Sequence, residues 1–154
     1  MNLEEHITAH FTWREVLFSE TAARLGIDNT PPPEIVPNIQ RMAQFMERLR
    51  LALNARPIFI SSWYRSPEVN HAIGGSKTSA HMKGLACDFL CPMMGTPLAT
   101  ATYISLATTV DFDQLVHEFG RWVHVGLGDG NRRQLLTAKL VDGKTVYVPG
   151  LEEV

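Results

Sequence analysis

The stretch Ser79-Ala80-His81-Met82-Lys83-Gly84-Leu85-Ala86-Cys87-Asp88-Phe89 constrains this chain more than any other. It holds a histidine and an aspartate seven residues apart, with small residues between them. A second histidine comes later, in Trp122-Val123-His124-Val125-Gly126. Two imidazoles and one carboxylate make a three-ligand catalytic zinc site with a fourth position for water. The imidazoles must be neutral to bind, and the carboxylate adds hard oxygen character and neutralises charge. A single straight strand cannot present both His81 and Asp88, because residues an odd number apart face opposite sides. Gly84 between them suggests a loop-to-strand crossing. Spacing alone leaves other readings open, with His124 as a satisfied core histidine and Asp88 as a strand-end cap.

The chain has 154 residues, which suits one domain, and we expect a single catalytic domain over 1–154. Hydrophobic residues at 45% suffice for a core. A net charge of -2 and no dense Lys/Arg run argue against a nucleic-acid partner or an anionic membrane surface. Met1-Asn2-Leu3-Glu4-Glu5-His6 has neither a basic nor an apolar leader region, and no apolar run approaches the ~20 residues of a transmembrane helix. The expectation is synthesis in the cytoplasm without a signal peptide or membrane insertion. Cys87 and Cys91, about 13 Å apart if extended, exceed the reach of a disulfide and are expected to be reduced.

Several elements are legible in order. Thr12-Trp13-Arg14-Glu15 reads as a capping box that opens a short helix to about Ser19. Another turn comes next, stopped by Gly26. Ile35, Ile39, Met42, Phe45 or Met46, Leu49 and Leu53 form one apolar stripe, which predicts a helix over about 34–53. Strands are predicted over 57–62, 84–90 and 122–126, with a further one led into by 111–119, and helices over 68–73 and 96–108. Asp142-Gly143 is a hairpin signal between 135–140 and 144–148.

Four segments together resemble a known family. They are Ser62-Trp63-Tyr64-Arg65-Ser66-Pro67-Glu68-Val69-Asn70, then Gly74-Gly75-Ser76, then Ser79-x-His81-x-x-Gly84-x-Ala86-x-Asp88, then Trp122-Val123-His124-Val125. The chain resembles the peptidase M15 family, zinc D-Ala-D-Ala carboxypeptidases and related phage endolysin peptidases, from about residue 8 to about 150. The resemblance implies an α+β fold, in which a small antiparallel sheet carrying the zinc site packs against helices. It implies one Zn²⁺ ion on His81, Asp88 and His124, and a substrate-binding, polarising role for Arg65. Arg65 suits it, because its guanidinium offers a fixed fork of donors. Ser79 is a candidate to donate to substrate or to cap its loop, and Gln114 a candidate to hydrogen-bond into the site.

One position departs from the family pattern. Many members carry an acidic general base three residues before the last histidine, where this chain has Arg121. Glu118, six residues before His124, is the preferred base if Gly120-Arg121 turns tightly, with His117 as the alternative. The implied substrate is a bacterial peptidoglycan peptide, cut at the cell wall, in the periplasm or outside, by a monomer that a phage holin delivers or that arrives with the virion. The competing reading is a catalytically degenerate, wall-peptide-binding structural phage protein, kept open by Arg121.

Overall fold

The computed structural model describes residues 2–154. In chain order the main elements are α1 (Trp13–Leu17), α2 (Glu20–Leu25), α3 (Val36–Ala52), β1 (Phe59–Ser62), α4 (Pro67–Ala72), β2 (Ala86–Leu90), α5 (Pro97–Ala107), β3 (Gln114–Glu118), β4 (Trp122–Gly126), β5 (Gln134–Val141) and β6 (Lys144–Pro149). The fold is α+β, with six strands in the order β1-β2-β4-β3-β5-β6. The sheet is mostly antiparallel, as expected, but β3 and β5 run parallel.

Two compact units share the chain. The first comprises the chain through Glu47 together with Ile60–Cys87. The capping box at its start is present, with the Thr12 hydroxyl and Glu15 carboxylate each reaching the other's backbone N–H. Gly26, in the left-handed conformation, ends α2. Ile39, Met42, Phe45 and Met46 on α3 are all buried, so the predicted stripe faces a core. Buried Asn29 clamps the segment after β1, donating from Nδ2 to Leu17 O and Tyr64 O and accepting at Oδ1 from Ser66 N–H at 2.7 Å. In sequence Asn29 reads only as the start of a proline-rich loop.

The second unit comprises Arg48–Phe59 and Asp88–Val154. Here α5 packs against β3 and β4, which form a tight hairpin. The crossover from β4 to β5 passes over the start of β3. Asp113 holds it, accepting from the Arg132 backbone N–H and, through both oxygens, from its guanidinium. Arg133 adds a cation–π contact 4.5 Å above the Phe112 ring. The β5–β6 hairpin turns at Asp142-Gly143, both at positive φ, as the turn signal predicts. After β6 the chain straps across β5. The Thr137 hydroxyl donates to Gly150 O and accepts from Glu152 N–H. Cys87 and Cys91 are buried free thiols. No helix among the described residues is long and apolar enough to cross a membrane.

Candidate metal centre

His81 lies on a 3-10 helix, Ala80–Lys83, where the sequence reads as a polar loop over 76–82. Ser79 caps that helix, its hydroxyl accepting from the His81 N–H at 3.3 Å. This is the loop-capping role among the two considered for it. Gly84 closes the helix at φ 70. A Cβ there would stand 2.6 Å from Ile39 Cγ1, so only glycine fits both the backbone and the core beneath it. The His81 ring is buried, with Nδ1 2.6 Å from Trp63 O. A carbonyl only accepts, so the proton sits on Nδ1 and Nε2 of the neutral ring keeps its lone pair.

Asp88 and His124 are also buried, and His124 Nδ1 lies 2.9 Å from Asp88 Oδ1. Candidate ligand atoms of His81, Asp88 and His124 all lie within 4.8 Å of one another. The three residues proposed from sequence are thus brought together. The donor set of two imidazoles and a carboxylate fits a zinc ion. The carbonyl that fixes the His81 ring is the kind of outer partner that orients metal-bound histidines.

The β3–β4 register explains how Glu118 reaches this group despite the unusual spacing. Glu118 pairs with Trp122 and Val116 with His124, so all four side chains share one face. Glu118 and His124 are diagonal neighbours across the hairpin. Phe119 at φ 55 and Gly120 at φ 68 make the left-handed turn that joins them, and Arg121 N–H donates to Glu118 O at 2.9 Å. Glu118 Oε1 lies 4.0 Å from His124 Nδ1, while its Oε2 accepts from Trp122 Nε1–H at 2.8 Å. Arg121 is exposed on the turn.

His117 points to the opposite face, paired with Val123, and its Nδ1 donates to Glu152 O at 2.9 Å. It faces away from His124 and is not placed to serve as the base. Gln114 shares the face of Glu118, but its amide donates to Gln134 on β5, the side of β3 away from β4. Arg65 comes after β1, with its backbone N–H on His81 O and its Nη1 3.4 Å from Asn70 Oδ1. Asn70, buried on α4, donates to Ser76 O. Gly75 leaves Asn70 its room, since a Cβ there would come 2.2 Å from Asn70 Oδ1. Sequence reasoning assigns neither Asn70 nor Trp122 a role of its own. Their signals are an amide five residues after Arg65 and an indole two before His124.

A buried histidine–aspartate–histidine group with a further carboxylate beside it, on an α+β scaffold, suits hydrolytic chemistry. The family model described as Peptidase M15 matches residues 9–126, and the chain belongs to the peptidase M15 family. It is therefore a peptidase by family, and the matched span contains every site residue named above from Arg65 to His124. Comparison with curated proteins returned no match.

Proposed function

We propose that this protein is a zinc-dependent peptidase that hydrolyses peptide bonds of bacterial peptidoglycan, at D-Ala-D-Ala or at another stem or cross-bridge bond. The observation that supports it best is the Glu118 carboxylate 4.0 Å from His124, a member of the buried group of His81, Asp88 and His124. His81 through Nε2, Asp88 through its carboxylate and His124 through Nδ1 would hold the ion. Zinc bound there supplies Lewis acidity, lowering the pKa of a water to about 7.

The protein's own groups then have separate tasks. Glu118 takes a proton at Oε1, the oxygen directed to His124, and returns it to the leaving amine. Its Oε2 stays occupied by the indole. Arg65 presents donors to a substrate carboxylate or carbonyl oxygen, steadied by Asn70. The reading is tested by metal analysis of the purified protein and mass analysis of peptides released from defined peptidoglycan, with and without a chelator. Zinc content with chelator-sensitive release is expected. Bound zinc without such cleavage overturns the enzyme reading in favour of a protein that only binds wall peptide.

A further inference from the structure

We infer that Trp122 is a positioning residue, which sets the direction in which the Glu118 carboxylate presents its reactive oxygen. Its consequence for catalysis rests on the peptidase reading above. A glutamate opposite an indole across a β-hairpin has several rotamers, and an unrestrained carboxylate exchanges its two oxygens by rotating the terminal torsion. Three features remove that freedom. Glu118 and Trp122 are register partners at the last pair before the turn, so their side chains rise from the same face. The indole Nε1–H donates to Oε2 at 2.8 Å, a charge-assisted bond when the carboxylate is ionised. The indole is itself braced, because Phe119 meets it edge-on with ring centroids 5.8 Å apart at 68°.

The indole holds Oε2, and Oε1 lies on the His124 side, 4.0 Å from Nδ1. Indole has one donor and no acceptor. It therefore holds the carboxylate without competing for the proton the carboxylate must collect. The positive φ of Phe119 serves the same end, since the turn that strains it also places its ring against Trp122. A tight turn, an aromatic brace and one N–H thus bring an acid six residues before the last histidine to its side.

The test uses the full chain labelled with nitrogen-15. The three tryptophans, Trp13, Trp63 and Trp122, give three indole N–H resonances, assigned by through-bond connectivities. The Trp122 resonance is expected downfield of a solvent-exposed indole, and E118Q should move it upfield, because a neutral acceptor bonds about half as strongly. A Trp122 resonance that ignores E118Q overturns the inference. In parallel, W122F keeps an apolar ring and removes the N–H. It should lose about 10–100-fold in kcat with KM changed less than about twofold and zinc content unaltered. A folded, zinc-loaded W122F with wild-type kcat also overturns it. If W122F does not fold, the resonance comparison decides alone, since it needs no change at residue 122. If wild-type protein cleaves nothing but the resonance responds to E118Q, the orienting bond stands and only the peptidase reading falls.

Discussion

Glu118→Gln keeps the shape of the side chain and removes its basicity. If Glu118 moves the proton, kcat should fall about 10²–10⁴-fold while the protein still binds zinc through His81, Asp88 and His124. Steady-state hydrolysis of a defined muropeptide, with metal content measured on the same preparation, checks this. Full activity in E118Q would remove Glu118 from the mechanism. The residue can be singled out from sequence because its acid lies near the last histidine with a turn between them. Its partner across the hairpin cannot be read there, because cross-strand register depends on the number of residues in the turn. The same register rules on His117, one position away and on the other face. The candidate metal ligands are legible by their motif, whereas Asn29 and Asn70 are not. A buried amide is chosen by the backbone groups around it, which for Asn29 lie as far away as Tyr64 and for Asn70 lie in the loop at Ser76, whose path the sequence does not set.

Local patterns name most elements, and tertiary contacts adjust their ends. The capping box, the apolar stripe of α3 and the Asp142-Gly143 turn stand where their chemistry requires them. The 3-10 helix under His81 is hidden in the sequence, because its polar residues look like a loop and its cap is a serine. Gly84 is the hinge between that helix and β2. Gly84→Ala should cost about 1–3 kcal/mol by crowding Ile39, with about 1–2 kcal/mol more for the left-handed backbone. Thermal unfolding would show a drop of several degrees, and the shifted His81 should weaken zinc binding in a competition titration. The parallel β3–β5 pairing is equally hidden, since it depends on the crossover. The Arg132 guanidinium bonded to both oxygens of Asp113 holds that carboxyl below the usual carboxylate range, against an opposing effect of burial. A depressed native value means that Asp113 stabilises the fold above its ordinary pKa near 3.8 and loses that contribution as pH falls through the native value. Melting curves should therefore show Asp113→Asn lowering Tm at neutral pH, with the gap to wild type closing in strong acid.

At the scale of the whole molecule, the family match stops at residue 126, and the chain beyond it forms β5, β6 and the strap across them. In strand order, β3 sits inside the sheet between β4 and β5, whereas β6 lies at an edge. Leu140, Val141 and Tyr147 near the hairpin tip are exposed, while Leu115, Val116 and His117 of β3 are buried. Hydrogen–deuterium exchange should then divide the two. Amides of β3 should exchange only through large openings, and those of β6 through local fraying. Equal rates in the two strands would contradict this layering. The consequence concerns time rather than place. On that layering the hairpin should open and reclose many times while the strand bearing Glu118 stays shut, so the lifetime of the proposed reactive geometry would be set by the interior of the sheet and not by its most restless edge.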